Sequence, residues 1–466
     1  MYSTQSDPKK DHSGFIHDIA NITAAHDQID KEFYSKYNVK RGLRNADGTG
    51  VLVGLTHIGD VRAYIIEEGE KIPMPGKLYY RGVEINDLVN GFQKDKRFGF
   101  EECAYLLLTG ELPNKGQLDE FKQLLGDNRA LPDGFTEDMI MKAPSNNIMN
   151  KLARCVLASY TYDEDPDNIS IPNVIRQCIS LIAKFPAMVA YAYQAKRHYY
   201  DGKSLYIHNP IPELSTAENL LHMIRSDKKY TKLEAEILDL NLVLHAEHGG
   251  GNNSSFTTRV VTSSGTDTFS AIAAAIGSLK GPKHGGANQK VMGMIADLKH
   301  NVSDWTDDKQ VYDYLVRVIK KEANDGSGLI YGMGHAVYTI SDPRAVLLKQ
   351  KAEELAEETG NTKEFQLYRK IEAFTPEIFA KYKNNTKEMC ANVDMYSGLV
   401  YTMLGIPEDV FTPLFASARI AGWCANRMEE VITCHRIMRP AYRAVTIKGH
   451  YVPIEERTAK LVSPEA

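Results

Sequence analysis

Apolar residues recur at helical spacing along most of the chain from residue 100 onward. The segments 100–113 (FEECAYLLLTGELP), 232–248 (KLEAEILDLNLVLHAEH) and 344–360 (RAVLLKQKAEELAEETG) place them on one face of a helix. Between residues 48 and 80, glycine and β-branched residues predict short strands or extended chain. The first 40 residues are polar, and their few apolar positions, at Phe15, Ile16 and Ile19, have the spacing of one helical face. The pattern predicts a mostly α-helical protein with one small strand region.

Two turn-rich stretches interrupt the helical pattern and are candidate hinges between domains. Residues 277–286 (GSLKGPKHGG) contain glycines and a proline, and residues 383–387 (KNNTK) form a polar run. The chain carries no repeat of solenoid period and no low-complexity tract. We therefore expect the helices to build globular layers in more than one domain.

Composition and charge narrow the classes of partner. The chain has 466 residues and a formal net charge of −5, so we expect it to bind neither nucleic acid nor a membrane surface. Apolar runs such as residues 271–276 are shorter than the ~20 residues that span a bilayer, and the polar N-terminus has no apolar signal core. The six cysteines include no C-x-x-C pair, which favours free thiols in a reducing compartment. The expected location is cytoplasmic.

Histidines cluster in the middle of the chain, where glycines flank three of them. His248 leads into three glycines, His284 lies in GPKHGGAN (281–288), and His335 follows GMG (332–334). Glycine lets the backbone approach a ligand closely and exposes N–H donors, which a core histidine does not need. His245 and His300 lie in the same region without this context. Each histidine can still be a hydrogen-bonded core residue.

Two other kinds of site are less consistent with these motifs. His245 and His248 have i, i+3 spacing and His284 could add a third zinc ligand, but the order His-Ala-Glu-His matches neither zincin signature. The chain has no G-x-x-x-x-G-K-[ST] loop, and no G-x-G-x-x-G follows a clear strand. We therefore expect no metal, and we favour proton chemistry beside carboxylates that arginines hold.

An acid and two arginines complete the candidate set. Asp394 precedes a largely apolar helix, so it is either a desolvated base with a raised pKa or a helix N-cap. The dipeptide Asp342-Pro343 predicts a helix start that places Arg344 opposite an anion. Arg419 lies in an apolar stretch, where an unpaired charge is unfavourable, and we expect it to meet a carboxylate. The other arginines near the C-terminus are typical of a solvated face.

Taken together, these motifs resemble those of the citrate synthase family. The resemblance runs through residues 40–445 in the order of the family, and its motifs are highly specific. The matching segments are RGLRN (41–45), YYRGVEINDL (79–88), FEECAYLLLTGELP (100–113), LHAEHGGGNNSSFTTR (244–259), GPKHGGANQ (281–289), GMGHAVYTISDPRA (332–345), NVDMYSGLVY (392–401), ASARIAGW (416–423) and RIMRPAYR (436–443).

The resemblance implies a multi-helical homodimer in which a small helical domain is inserted into a large one and closes over the substrate. On this chain the implied division is an N-terminal arm at 1–40, a large domain at 41–285, a small domain at 286–391, and a return to the large domain at 392–466. The implied reaction condenses acetyl-CoA with oxaloacetate and hydrolyses citryl-CoA to citrate and CoA, without a cofactor. 2-Methylcitrate synthase, which uses propionyl-CoA, is the alternative.

The resemblance also implies residue roles. Asp394 would remove a proton from the acetyl-CoA methyl group, His284 would hydrogen-bond the thioester oxygen, and His335 would protonate the ketone of oxaloacetate. His248, Arg344 and Arg419 would hold oxaloacetate, and Arg439 would do so across the dimer.

The CoA contacts follow from the resemblance less directly. Met333 stands where many members of the family have an aromatic residue, and Thr339 stands where relatives often carry a basic one. The candidate CoA contacts are Arg41, Gly332, Met333, Gly334 and Lys387, with Arg44 and Lys383 as further cations.

Overall fold

The computed structural model describes residues 13–45, 48–67, 70–384, 388–433, 436–446 and 448–457. These residues fall into two compact units, one formed by the described residues of 1–55 and 439–466 and the other by the described residues of 56–438. The first unit contains the helices α1 (Ser13–His26) and α2 (Lys31–Lys36). The helix predicted around Phe15, Ile16 and Ile19 is confirmed, and these side chains are exposed.

The second unit begins with a three-stranded antiparallel sheet. Its strands are β1 (Gly59–Glu67), β2 (Glu70–Tyr80) and β3 (Val83–Glu84), in the order β1-β2-β3. In the register, Gly59 is opposite Tyr80, and the pairing shifts between Arg62 and Tyr64. The strands begin later than the predicted region, because residues 48–58 form no ladder beyond the single bridge between Arg44 and Gly50.

Fifteen further α-helices follow in the described part of this unit. The first group is α3 (Ile85–Lys94), α4 (Phe100–Thr109), α5 (Lys115–Asp127), α6 (Ile148–Ala158), α7 (Ile171–Tyr199), α8 (Thr216–Ile224), α9 (Lys232–His245) and α10 (Asn253–Thr262). The second group is α11 (Thr268–Lys280), α12 (Ala287–Asn301), α13 (Asp308–Ile319), α14 (Pro343–Glu358), α15 (Thr362–Lys383), α16 (Val393–Met403) and α17 (Phe411–Thr433). The mostly α-helical prediction is confirmed.

Local sequence explains where several helices begin and end. α8 and α9 start with capping boxes, in which Ser215 and Thr231 bond reciprocally with Glu218 and Glu234. α4 ends at Gly110, whose φ of 89° is strained for residues with a side chain. The helix within the segment 100–113 therefore ends before Glu111-Leu112-Pro113.

Two long helices, α7 and α17, form the centre of the core. They pack against each other, and α7 also packs against α6 and α8. Among the described residues, α7 is the one helix that is long and apolar enough to cross a bilayer, but 72% of its most apolar window is buried in the protein. The expectation that all apolar stretches are shorter than a bilayer span overlooked α7, because Gln177 and Lys184 interrupt its apolar runs.

The two candidate hinges, 277–286 and 383–387, begin at the ends of α11 and α15, and nothing in the structure tests whether they act as hinges. Residues 281–286 connect α11 to α12, while α15 ends at Lys383, next to residues 385–387, which lie outside the described residues. Residues 286–391 thus contain α12 to α15, and their division from the rest as a small domain stays a prediction.

Candidate active site

Six parts of the second unit bring the predicted histidines, acid and arginines together. These parts are the loop after α9, the connection before α12, the segment between α13 and α14, and the helices α14, α16 and α17. The rings of His248 and His335 lie 5.2 Å apart, and the rings of His284 and His245 lie 6.4 and 4.7 Å from that of Phe415. Residues far apart in sequence therefore share one site.

His248 lies just beyond the end of α9, in a loop held by Glu247. The Glu247 side chain is fully buried and accepts bonds from the His248 backbone N–H at 2.9 Å and from Asn426 Nδ2 at 2.9 Å. Tyr80, at the end of β2, donates its hydroxyl to the Glu247 carbonyl at 3.0 Å. His248 Nε2 is buried and has no hydrogen-bond partner among the described residues. Its position in the loop is fixed while one ring nitrogen stays available.

Arg419 points from α17 toward the same loop. Its Nε donates to the His245 carbonyl at 2.6 Å, and its guanidinium lies 4.7 Å from the centre of the Phe415 ring. Burial lowers the pKa of Arg419 to about 10, although nearby Glu247 opposes this effect. No carboxylate oxygen of a described residue lies within 4.0 Å of Arg419, so the prediction that Arg419 meets a carboxylate stays a prediction. Among the described residues, its hydrogen-bond acceptor is a backbone carbonyl.

His284 is a neutral imidazole whose Nε2 accepts hydrogen bonds. The Ser254 backbone N–H donates to Nε2 at 3.3 Å, and the Ser254 hydroxyl oxygen lies 2.9 Å from the same nitrogen. Burial, together with Arg419, lowers the pKa of His284 to about 4. Since a backbone N–H can only donate, the ring proton of neutral His284 belongs on Nδ1.

His335 has the opposite tautomer. Its Nδ1 accepts the backbone N–H groups of Val337 at 3.0 Å and Tyr338 at 3.1 Å, which leaves the ring proton on Nε2. Burial, together with Arg344, lowers the pKa of His335 to about 4. The Tyr338 ring stacks on the imidazole at 4.7 Å and fixes its plane. The site therefore holds two neutral imidazoles that donate through different nitrogens.

Asp342 joins the helix that carries Arg344 to the helix that carries Asp394. It caps α14, with Pro343 at the first position, which confirms the predicted helix start. Its carboxylate accepts Arg344 Nε at 3.0 Å and Arg344 Nη2 at 2.7 Å, and it accepts the Val393 N–H of α16 at 3.3 Å. The anion that Arg344 faces in this structure is thus Asp342.

Asp394 lies in the first turn of α16. The cap of α16 is Asn392, whose side chain accepts the Asp394 N–H at 3.0 Å, so Asp394 itself is not the N-cap. Burial raises the pKa of Asp394 to about 6, while Arg344 acts in the opposite direction. The prediction of a desolvated acid with a raised pKa is confirmed.

Two glycines near the histidines are needed for close packing. Gly332 has a φ of 84°, and a Cβ there would lie 2.7 Å from Met395 Sδ in α16. A Cβ at Gly285 would lie 2.4 Å from the Leu279 carbonyl oxygen. At these two positions the observed close neighbour is the protein itself, whereas the sequence predicts a ligand.

The structure places the remaining predicted residues as follows. Met333 bridges to Ala391, and Gly334 donates its N–H to the Cys390 carbonyl at 2.8 Å, so both lie beside the start of α16. Arg41 and Arg439 are exposed and belong to the unit formed by 1–55 and 439–466, where Arg41 lies 4.4 Å from the Tyr34 ring centre. Lys387 lies outside the described residues.

The zinc alternative finds no support in the geometry. His245 is a buried core residue whose Nδ1 lies 2.8 Å from the Asn241 carbonyl, and His300 is exposed at the end of α12. Within the described ranges, no group of three or more His, Cys, Asp or Glu side chains is arranged to hold a metal ion.

Sequence reasoning missed four residues that support the site. Glu247 and Ser254 lie inside the segment 244–259, but their spacing gives no sign of their contacts. Asn392, immediately before the apolar helix, has the residue type of an N-cap and could have been found from that signal. Phe415 lies beside the two site residues His284 and Arg419, and its position in the apolar stretch of α17 has the pattern of ordinary core.

Comparison with known proteins identifies the family. The sequence model described as "Citrate synthase, C-terminal domain" matches residues 46–441. Citrate synthase from Synechocystis sp. is 33% identical over 84% of this chain and 90% of its own length. The chain belongs to the citrate synthase family. The predicted multi-helical fold and citrate synthase activity are thereby confirmed.

Two further relatives of this citrate synthase family member bear on its chemistry. 2-Methylcitrate synthase from Shewanella oneidensis is 32% identical over 82% of this chain and 92% of its own length. A structure of the ternary complex of carboxymethyl coenzyme A and oxaloacetate with citrate synthase from Thermoplasma acidophilum superimposes with a TM-score of 0.73. It is 25% identical, and the match covers 90% of this chain and 99% of that one.

The pKa values predict how activity depends on pH. Asp394 accepts a proton only when it is ionised, so we expect kcat/KM to fall as the pH is lowered through about 6. His284 and His335 have pKa values of about 4 and stay neutral above that inflection. Steady-state rates across the acid range measure the profile.

His284→Asn is the matched control for this profile. It should lower the rate but keep the inflection near 6, because the carboxyl group that titrates is still present. An inflection that disappears in His284→Asn would assign the titration to the imidazole and contradict this account.

Proposed function

We propose that this chain makes citrate from acetyl-CoA and oxaloacetate with Asp394, His284 and His335 as its catalytic residues. One observation carries the assignment of roles. A carboxyl group whose pKa is raised to about 6 shares a site with two neutral imidazoles that donate through different nitrogens. This is the set that enolisation of a thioester followed by addition to a ketone requires.

Asp394 is the base in this proposal. The methyl group of acetyl-CoA is a very weak acid, so a carboxylate removes its proton only where the developing enolate is stabilised. Burial of Asp394 makes the carboxylate a stronger base than an aspartate in water. His284 supplies the stabilisation through Nδ1–H, which donates to the thioester oxygen as negative charge accumulates there.

His335 acts on the second substrate. Its Nε2–H donates to the ketone oxygen of oxaloacetate while the enolate carbon forms the new carbon–carbon bond. The ketone oxygen takes the proton from Nε2 and becomes the hydroxyl group of citryl-CoA. His335 has then lost its only ring proton, and the proton that Asp394 took from the methyl group balances this loss when it is passed to Nε2. Because Nδ1 keeps its two backbone donors, His335 returns to the same tautomer.

The cations of the site hold the two carboxylates of oxaloacetate. Arg344 and Arg419 present guanidinium groups, whose planar geometry suits a carboxylate. The available Nε2 of His248 adds a hydrogen bond. Arg419 makes no ion pair with a described residue, which leaves its charge for the substrate. The complex of the Thermoplasma relative, which contains oxaloacetate, supports this use of the site.

Hydrolysis of citryl-CoA completes the reaction. A water molecule adds to the thioester carbon, and CoA leaves as a thiol with one of the water's protons. Neither the condensation nor the hydrolysis is an oxidation or a reduction overall. Acid–base groups of the chain can move every proton that the two steps involve. We therefore propose that no cofactor takes part. Closure of the predicted small domain, 286–391, would exclude water until condensation is complete.

Propionyl-CoA is the alternative acyl donor. The Shewanella relative favours this alternative, as does the flexible Met333 before His335. One additional methylene group is worth only about 1–3 kcal/mol of discrimination in an apolar pocket.

We predict that kcat/KM is higher with acetyl-CoA than with propionyl-CoA at saturating oxaloacetate. Steady-state release of CoA measures both rates, and butyryl-CoA serves as a control for acyl chains that are too long. A higher kcat/KM with propionyl-CoA would contradict this prediction and would make 2-methylcitrate the expected main product.

Arg439 is proposed to complete the oxaloacetate site of the other subunit in a homodimer. Its guanidinium is exposed, and it makes no ion pair with a described residue. Mixed dimers test this role. When inactive Arg439→Ala and Asp394→Ala subunits are combined, one of the two sites receives both intact residues, so activity should return.

The controls are the two variant homodimers at the same protein concentration. Tagging each subunit differently and purifying through both tags isolates the mixed dimers. If they show no more activity than the homodimers, Arg439 does not act across the interface.

A further inference from the structure

Trp423 lies in the middle of α17, one helical turn after Arg419. Its side chain is fully buried, and its indole Nε1–H donates to Ser254 Oγ at 3.0 Å. Ser254 Oγ in turn lies 2.9 Å from His284 Nε2. One residue, Ser254, therefore connects the indole to a proposed catalytic imidazole.

We propose that Trp423 is a positioning residue that fixes the direction of a hydrogen-bond chain ending at His284. The chain runs from Trp423 Nε1–H to Ser254 Oγ–H and then to His284 Nε2, and the proton on His284 Nδ1 faces the reacting thioester. This inference rests on the proposed role of His284.

The direction follows from the chemistry of the indole. Its N–H can donate but cannot accept, so Ser254 Oγ must be the acceptor in that contact. The single hydroxyl proton of Ser254 then has to point away from the indole. Two acceptors lie within reach, His284 Nε2 at 2.9 Å and Asn252 Oδ1 at 3.1 Å.

The competition between these acceptors favours His284. Asn252 Oδ1 already accepts the Ser255 backbone N–H at 3.1 Å as the cap of α10. His284 Nε2 has only the longer bond, 3.3 Å, from the Ser254 N–H. A hydroxyl that itself accepts a hydrogen bond is also a stronger donor, because successive bonds polarise one another. Donation to Nε2 makes the Nδ1–H of the same ring a better donor.

Simple packing is the competing explanation. A buried indole N–H needs an acceptor wherever it lies, and Ser254 could meet that need without any effect on His284. The two explanations differ in what happens when only the N–H is removed. Packing predicts no change in kcat, whereas the chain predicts a loss confined to the step that His284 assists.

The test uses two variants of Trp423. Trp423→Phe removes the donor and part of the ring. Replacement of Trp423 by 3-benzothienylalanine keeps the bicyclic shape and removes only the N–H. With the benzothienyl side chain we expect kcat to fall about 3- to 10-fold, the range for one neutral hydrogen bond, and KM for oxaloacetate to stay unchanged. Wild-type kcat would overturn the proposal.

Trp305→Phe is the matched control. Trp305 is the other of the chain's two tryptophans. It is half-buried and packs against the core, and Lys299 lies 5.3 Å from its ring centre. Its replacement should leave kcat unchanged. It also leaves Trp423 as the sole tryptophan, so indole fluorescence reports whether that side chain stays buried.

A double-mutant cycle with Ser254→Ala tests whether Trp423 acts through the serine. If it does, changing Trp423 in the Ser254→Ala background lowers kcat no further. If the two losses multiply, Trp423 acts by another route and the proposal fails.

His284→Asn separates this inference from the proposed function. A large loss of kcat in His284→Asn with wild-type kcat in the benzothienyl protein would overturn the role of Trp423 alone. Normal kcat in His284→Asn would overturn the catalytic role of His284 and the chain that depends on it.

Discussion

Removal of ionisable groups from water sets the chemical state of the whole site. Desolvation lowers the pKa of His284 and of His335 to about 4 and raises that of Asp394 to about 6. The same change that keeps both imidazoles neutral makes the carboxylate more basic. Acid–base chemistry therefore depends on the buried surroundings of the site as much as on the residues themselves.

Backbone N–H donors and one buried acid fix the tautomers and the relative positions of these side chains. The N–H of Ser254 and those of Val337 and Tyr338 select opposite tautomers for the two imidazoles. Asp342 binds Arg344 and the first N–H of α16, so Arg344 and the helix that carries Asp394 keep a fixed relation. The bond from Ser254 to His284 and the bond from Val393 to Asp342 join segments that are remote in sequence. Close packing at Gly332 and Gly285 brings further backbone together beside the histidines.

Local sequence signals predict part of the fold and part of the candidate site. Helical periodicity predicts most of the helices, Asp342-Pro343 predicts the start of α14, and the apolar run after Asp394 predicts its raised pKa. The roles of the histidines came from a family resemblance, since spacing alone left core and metal interpretations open. Tautomers and the partner of Arg419 could not be predicted, because they depend on contacts such as Arg419 with the His245 carbonyl, 174 residues away.

Whether Asp394 removes the methyl proton of acetyl-CoA is measured by a single turnover of Asp394→Asn. Enzyme saturated with oxaloacetate is mixed with labelled acetyl-CoA, and citryl-CoA plus citrate are quantified after rapid quenching. We expect normal oxaloacetate affinity by calorimetry and a condensation rate lowered about 10²- to 10⁴-fold, the usual contribution of a general base. Condensation at the wild-type rate in Asp394→Asn would exclude Asp394 as the base.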